Sequence, residues 1–233
     1  QNDTIVRRRL AQKMEFLAED TSAIRDPAAE QLKLWFEENR ALYLSAFKEP
    51  LEAYVEAASQ ACKAKKLPVF GNPKRATFRL NRDVRFSKNK QPYKTNGGAV
   101  LTRTGMKGSP GIVYTHISPE GGFFAAGFYH PEPEQLAAFR EAIAKKPAKF
   151  LAMEKKLAAA GLEIRCHEAL KRNPRDYAEI DARVEHAIRM KNFLTRRPYR
   201  ENLLHDGMKF TTAAADFAKE AMPLLKWGWE VIG

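Results

Sequence analysis

The sequence predicts an α+β fold in which an antiparallel sheet from the middle of the chain is covered by helices from both the N- and C-terminal thirds. Apolar residues recur at helical intervals over residues 26–66 and again after residue 133. Residues 78–129 instead alternate with a period of two and are interrupted by glycines. Short strands joined by tight turns favour antiparallel pairing, and flanking helices favour a layer over one face of the sheet.

The first segment of the chain is predicted to be a helical arm. Residues 5–18 place apolar side chains at nearly helical spacing, and an arginine cluster at residues 7–9 lies near their start. Such a cluster is typical of a solvated face or of an arm that docks a partner. We therefore divide the chain into an arm, residues 1–29, which offers a surface for a protein partner, and a single α+β domain, residues 30–233.

A long helix is predicted to follow the arm. Asp26 suits the N-cap, and Pro27 suits the first helical position. Aromatic and aliphatic residues then recur at helical intervals as far as about Lys66, and we interpret this stripe as core. Pro50 is expected to kink or break the helix, because proline lacks a backbone N–H and its ring clashes with the preceding turn.

The remaining strands and helices are predicted from the same helical period and period of two. Extended segments are predicted over residues 78–86, 99–104, 112–117 and 122–129. Residues 87–92 are too polar and too limited by proline for a strand, so we expect a loop there. Helices are predicted over residues 133–144, 148–160, 177–190 and 211–229, with residues 192–200 as an extended basic segment.

The composition indicates a soluble protein of a reducing compartment. Two cysteines, Cys62 and Cys166, are too few for a disulfide framework or a cysteine-rich zinc site. With no run of about 18 apolar residues and no secretory signal, we expect an intracellular protein without a membrane partner, either cytoplasmic or organellar, for example mitochondrial. The chain begins at Gln1, which is compatible with a processed chain or with a piece of a longer protein.

The net charge of +12 is concentrated in two segments. Residues 74–94 carry eight basic groups and one acid, and residues 183–200 carry six basic groups and one acid. The remaining residues hold 26 basic and 26 acidic groups. If the two segments meet in the fold, they form a focused anion site. The alternative is that these lysines and arginines only keep the protein soluble.

The densest set of polar side chains lies between residues 78 and 98. In an extended conformation Arg79 and Arg85 point away from the apolar side, and their guanidinium groups suit phosphate or carboxylate. Tyr93 either stacks on a base or sugar or packs as a loop anchor, and the anchor is favoured. The predicted set for binding anions or nucleic acid is Arg79, Arg85, Ser87, Lys88, Lys90, Tyr93, Lys94, Arg189, Lys191, Arg196, Arg197 and Arg200.

Proton chemistry has two candidate residues, His116 and Asp83. His116 lies on a predicted strand beside the proposed site and is either a general acid or base or a hydrogen-bonded structural residue. Arg82 and Asp83 are interpreted as structural, in an internal network that holds the sheet to the long helix. No cluster has the spacing of metal ligands, and residues 105–111 lack the ending of a phosphate loop, so we predict no metal and no cofactor.

Several of these residues together resemble a known family. The run at residues 82–88 and the Pro-Tyr-Lys-Thr at residues 92–95 are long and unusual in composition. Further matching positions are Trp35, Phe36, Tyr43, Arg79, Lys90, His116, Ile117, Pro119, Gly127, Pro131, residues 170–174, Lys191 and Pro223. On these positions the chain, from about residue 30 to its end, resembles the domain-of-unknown-function 2461 family, an uncharacterised group from bacteria and some eukaryotes. The resemblance implies one α+β domain and no activity.

Two positions depart from the family pattern. The family usually has aspartate where this chain has Asn89, and often histidine where it has Asn96. Without this acid and this imidazole, the loop is less suited to metal or proton chemistry. The departures therefore favour binding over catalysis.

The sequence leaves two functions open. The first is a non-catalytic module whose basic face binds RNA or another polyanion, as part of a ribonucleoprotein assembly. The second is an enzyme or receptor for a small phosphorylated or carboxylated molecule, held in a concave pocket around Arg79, Arg85 and Lys94. The concentrated charge and the two departures favour the first.

Overall fold

Four antiparallel strands form the centre of the structure. The structure is a computed structural model, and it describes residues 36–80, 93–94, 96–118, 121–166 and 168–233. The strands are β1 (Gly97–Thr102), β2 (Ile112–Ser118), β3 (Gly121–Phe128) and β4 (Phe193–Arg200), and they lie side by side in sequence order. The predicted antiparallel sheet is confirmed, and the extended basic segment supplies its fourth strand.

The strand register assigns each side chain to one of two faces. Residues that pair directly across strands point to the same side of a sheet. One face carries two rows, which together we call the open face: Gly98, His116, Phe123 and Pro198, and next to them Val100, Tyr114, Ala125 and Arg196. The alternating residues form the helix face, with Ala99, Thr115, Phe124 and Arg197 in one row.

Along the chain, helices precede and follow the strands of the sheet. They are α1 (Arg40–Tyr43), α2 (Glu49–Ala64), α3 (Pro73–Ala76), α4 (Pro133–Lys145), α5 (Pro147–Ala159), α6 (Glu185–Ile188) and α7 (Gly207–Ile232). Shorter turns are the π-helical segment Leu44–Lys48 and the 3₁₀ segments Arg175–Tyr177, Ala182–Val184 and Glu201–His205. The predicted α+β class is therefore confirmed. Within the described ranges no helix is long and apolar enough to cross a membrane.

The helix face carries the core. Phe124 packs against the rings of Phe210 and Phe217 from α7. From α2, the Tyr54 hydroxyl lies 2.6 Å from the Thr115 hydroxyl of β2. Because α2 and α7 also pack on each other, the N-terminal and C-terminal helices close one continuous apolar layer over this side of the sheet.

Pro50 interrupts the first helix in a specific way. The chain leaves α1 through the π-helical segment Leu44–Lys48, and Pro50 then lies in the first turn of α2. Proline is tolerated in a first turn because it has no backbone N–H that would need an acceptor in the preceding turn. The π-helical segment before it accommodates the missing hydrogen bond. The expected interruption therefore takes the form of a π turn.

The predicted helix over residues 177–190 is wrong. This stretch contains the 3₁₀ turns Arg175–Tyr177 and Ala182–Val184 and only one short helix, α6. Asp181 is the reason for the break, since its carboxylate accepts the backbone N–H of Arg183 and also pairs with the Arg183 side chain. An aspartate that binds the backbone two residues ahead begins a new turn and competes with a continuing helix.

Both edges of the sheet are partly protected. Beside β1, Phe70 and Thr77 form isolated bridges to Thr102 and Ala99. On the other side, β4 carries Pro198, which cannot donate to a further strand. Of the polar stretch predicted as extended, residues 78–80 continue along β1, with the Phe78 N–H donating to Gly98 O at 2.9 Å. Residues 81–92, including the rest of the predicted strand and the predicted loop, lie outside the described residues.

Candidate functional site

The open face of the sheet carries a cation stacked on aromatic rings. The Arg196 guanidinium lies 3.7 Å from the centre of the Phe123 ring. His116, from the neighbouring strand on the other side, stacks on the same ring at 4.7 Å with 9° between the planes. The register explains this arrangement, since His116 and Phe123 are direct partners and Arg196 is one row away on β4. Phe123 thus connects β2 to β4.

The aromatic contacts continue towards β1. Tyr114, two residues from His116, lies 5.9 Å from Phe123 and 5.8 Å from Phe78, measured between ring centres. The Phe78 ring is 38% exposed, and the amines of Lys94 and Lys107 lie 5.9 and 5.3 Å from its centre. We call this chain of contacts the cross-sheet row: Lys94, Lys107, Phe78, Tyr114, His116, Phe123 and Arg196.

Hydrogen bonds fix the orientation of His116. Its Nδ1 lies 3.4 Å from the Asn96 amide nitrogen and 3.2 Å from the Tyr114 hydroxyl. The Asn96 amide nitrogen can only donate, so this contact assigns Nδ1 as the acceptor and places the proton of the neutral ring on Nε2. The backbone carbonyl of His116 accepts the hydroxyl of Tyr199 from the helix face. His116 is therefore held as a hydrogen-bond donor and stacking surface, with Asn96 at the position where the family often has histidine.

Acid is expected to destabilise the fold through His116. Burial, followed by the positive charge of Arg196, lowers the pKa of the imidazole below its ordinary value of 6.5. The unfolded chain then binds the proton more tightly, so the free energy of unfolding falls as the pH drops below about 6.5 towards the folded pKa. Thermal melts across this range should show that His116→Gln has a flatter pH dependence than the wild type. His205→Gln, at an exposed position, is the control; an equal flattening in both variants would contradict the assignment.

The structure brings only part of the predicted anion-binding set to the open face. Arg196 and Lys94 belong to the cross-sheet row. Arg200 is exposed at the end of β4, on the same side as Arg196 by strand alternation. The two basic segments therefore meet on the open face through Lys94, Arg196 and Arg200. Arg79 is exposed, but it follows Phe78 directly in an extended stretch and so points to the other side.

Other members of the set have different surroundings. Arg197 points to the helix face, where it pairs with Glu220 and donates to Ala160 O at 2.7 Å. Arg189 pairs with Glu185 at 3.2 Å. Lys191 lies 3.9 Å from Glu168. These arginines and this lysine have acidic partners of their own, and we leave them out of the candidate site.

Tyr93 has the environment of an anchor. Its ring stacks on Phe36 at 5.1 Å with 18° between the planes, and burial raises the pKa of its hydroxyl. The favoured interpretation of Tyr93 agrees with this contact. Six further predicted residues lie outside the described ones, and their roles stay predictions: Arg82, Asp83, Arg85, Ser87, Lys88 and Lys90.

Sequence reasoning missed three aromatic members of the site as binding residues: Phe78, Tyr114 and Phe123. Tyr114 was detectable, since it lies two residues from His116 on a strand and so shares its face. Phe123 was not, because its position beside both His116 and Arg196 depends on the register of β2, β3 and β4. In the part of the chain that the structure describes, no three His, Cys, Asp or Glu residues are grouped as metal ligands.

A cleft occurs elsewhere in the described structure, between α2 and the residues that lead to the edge of β1. Neither Arg79 nor Lys94 lines it. The concave pocket expected around Arg79, Arg85 and Lys94 remains a prediction, because Arg85 lies outside the described residues. Of the two described residues in that hypothesis, Lys94 lies beside Phe78 on the open face, and Arg79 is exposed and points to the other side.

Comparison with known proteins identifies the family. A family model described as a conserved hypothetical protein (DUF2461) matches residues 24–227, most of the chain. The chain belongs to the DUF2461 family. This result confirms the resemblance drawn from the run at residues 82–88 and its neighbours. Comparisons with curated proteins and with solved structures gave no match. The DUF2461 description names no activity, so function has to be argued from the site.

Proposed function

We propose that this DUF2461 protein is a non-catalytic RNA-binding module that works within a ribonucleoprotein assembly. The open face of the sheet is the proposed binding surface, and single-stranded RNA is the proposed ligand. The cross-sheet row is the observation that carries the proposal. It combines aromatic rings with cations over β1 to β4, which is the combination that proteins use to hold single strands.

Stacking is the first part of the proposal. Every nucleobase has a flat apolar surface, so an exposed ring binds bases with little sequence preference. Phe78 has the required exposure and lies between the amines of Lys94 and Lys107 and the ring of Tyr114. A base stacked on Phe78 would place its phosphates near these amines.

Electrostatics is the second part. On the open face, Arg196 and Arg200 form no ion pair with any residue that the structure describes, so their charges are available to a polyanion. The net charge of +12 on the whole chain attracts the negatively charged RNA before the two molecules touch. The Arg196 guanidinium is also pre-positioned, since it lies 3.7 Å from the centre of the Phe123 ring.

The hydrogen bonds of His116 favour binding over proton transfer. The ring nitrogen that can accept a proton, Nδ1, already faces the donors Asn96 and Tyr114. Nε2–H is then a donor suited to a phosphate or base oxygen. This arrangement supports a role for His116 in contacting the ligand.

The proposal is tested by fluorescence anisotropy with a labelled single-stranded oligouridine and a matched RNA duplex over a salt series. We expect the single strand to bind more tightly, with affinity that falls steeply as salt rises. Arg196→Gln should reduce the slope of log K against log salt by about 0.7, and Arg196→Gln with Arg200→Gln by about 1.4, as one and two phosphate contacts are lost.

The matched control is Lys155→Gln, which removes one exposed charge from α5 on the helix side. It should leave the slope unchanged within error. Absence of binding to either RNA at low salt would refute the proposal. Equal losses for Lys155→Gln and Arg196→Gln would show attraction by net charge without a site on the open face.

A further inference from the structure

A cleft lies beside α2, away from the open face. It is a cleft of about 570 Å³ between the C-terminal half of α2 and residues 66–71. Arg103, which follows β1, closes one side. Its lining includes Glu56, Gln60, Lys63, Lys66, Phe70 and Arg103.

The cleft has an excess of cations. Lys63, Lys66 and Arg103 form no ion pair with any residue in the described ranges. Lys65, between them in sequence, instead pairs with Asp216 at 2.7 Å and does not line the cleft. Of the three lysines at residues 63–66, Lys65 is thus neutralised by Asp216, and Lys63 and Lys66 line the cleft. The carboxylate of the cleft, Glu56, is not paired with any of them, so an anion would meet three cations that no acidic residue of the described structure neutralises. The Arg103 guanidinium also lies 5.2 Å from the centre of the Trp229 ring.

An exposed aromatic ring also lines the cleft. Phe70 is 48% exposed, although its backbone is fixed by two hydrogen bonds with Thr102 of 2.9 and 3.0 Å. Its ring lies directly on Gly105, where a Cβ atom would come within 2.6 Å of it. The ring is therefore held in place and still accessible, which suits it to stack on a planar ligand.

Lys66 adopts a backbone conformation that usually requires glycine. Its φ is +57°, at the end of α2, where the Leu67 N–H donates to Cys62 O and the Lys66 N–H to Lys63 O. Helix α5 ends in the same motif, but there the left-handed residue is Gly161, with φ +68°. A lysine in this position costs free energy that a glycine avoids. The left-handed conformation directs the chain after α2 along the wall of the cleft, and a cost of this kind is typical of functional sites.

We infer that this cleft binds a small anionic molecule with a planar ring, of the class of the nucleoside monophosphates. Lys63, Lys66 and Arg103 would hold the phosphate, and the base would stack on Phe70. Glu56 provides a carboxylate at the other end of the α2 wall, two helical turns from Lys63. Its Oε1 accepts from Gln60, and its second oxygen suits the exocyclic amino group of a base.

The test is isothermal titration calorimetry with AMP, GMP, CMP, UMP and inorganic phosphate as separate probes. We expect at least one of the amino-bearing nucleotides to bind more tightly than both UMP and inorganic phosphate. Lys63→Gln and Lys66→Gly should each weaken that nucleotide by about fivefold or more, and Phe70→Leu should reduce its affinity to near that of phosphate. Lys66→Gly should melt no lower than the wild type, so its lost affinity would not reflect unfolding.

Lys65→Gln is the matched control, since it removes a neighbouring charge that lies outside the cleft. It should leave nucleotide affinity unchanged, as should Arg196→Gln on the open face. The inference is overturned if no nucleotide binds more tightly than inorganic phosphate, or if Lys65→Gln weakens binding as much as Lys63→Gln. Because Arg196→Gln separates the two surfaces, failure here leaves the RNA proposal standing, and the reverse also holds.

Discussion

Replacing Gly127 with alanine is expected to lower the free energy of unfolding by about 3 kcal/mol or more. Gly127 has φ +134°, a conformation that side chains rarely adopt, and a Cβ atom there would lie 2.0 Å from the backbone oxygen of Phe193. That oxygen belongs to the neighbouring strand and cannot rotate away. The strands β3 and β4 would have to separate, with the loss of their hydrogen bonds.

Urea denaturation or thermal melting measures this effect, with an expected fall in Tm of about 6–12 °C. Gly108→Ala is the control, because a Cβ atom at Gly108 meets nothing within 4 Å. That variant should stay within about 0.5 kcal/mol of the wild type. If Gly127→Ala were equally mild, the register of β3 on β4 would be incorrect.

Phe193→Ala is expected to cost about 3–5 kcal/mol of unfolding free energy. The side chain is fully buried, and its ring centre lies 5.4 Å from that of Phe139 and 5.8 Å from that of Trp227. Phe193 joins β4 to the apolar side chains of α4 and α7. Removing it leaves a cavity that the two rigid rings cannot refill.

The control for this variant is the next residue along the strand. Leu194 points to the open face and is half-buried, so Leu194→Ala should cost clearly less in the same denaturation experiment. Equal losses at both positions would contradict the assignment of the two faces of β4.

Local patterns predicted the first three strands well. The segment predicted over residues 112–117 is β2, Ile112–Ser118, and the one over residues 122–129 is β3, Gly121–Phe128. In β2 the buried residues Val113 and Thr115 alternate with less buried ones, whereas β3 is buried over most of its length and was recognised from the glycines and aromatic residues around it. The fourth strand was predicted only as an extended basic segment, because Arg196, Arg197 and Pro198 hide its alternation.

The helix predicted over residues 177–190 is absent because of a local side-chain interaction. Its residues allow helical spacing, but Asp181 binds the backbone of Arg183 and begins a separate turn. Similarly, Pro50 was correctly expected to interrupt a helix, yet a π turn is a response that no spacing rule specifies. In both cases a single residue, Asp181 or Pro50, overrides the helical preference of the segment around it.

The sequence predicted charged residues of the candidate site but did not predict its aromatic residues. Lys94 and Arg196 were selected from the two basic segments, and the sheet brings them to one side. The stacking of His116 and Arg196 on Phe123 depends on pairing between strands far apart in sequence, which no local pattern contains. The cleft beside α2 was missed because its cations come from different elements, and only the fold separates Lys63 and Lys66 from the neutralised Lys65.

The most direct test of the central claim is photo-cross-linking of the full chain to single-stranded RNA that contains 4-thiouridine, with the cross-linked residues located by mass spectrometry. The proposed site predicts cross-links on the open face, at Phe78, Tyr114 or Phe123, that disappear when Arg196 and Arg200 are both replaced by glutamine. Cross-links confined to the helix side, or cross-links on the open face that persist in this double variant, would contradict it.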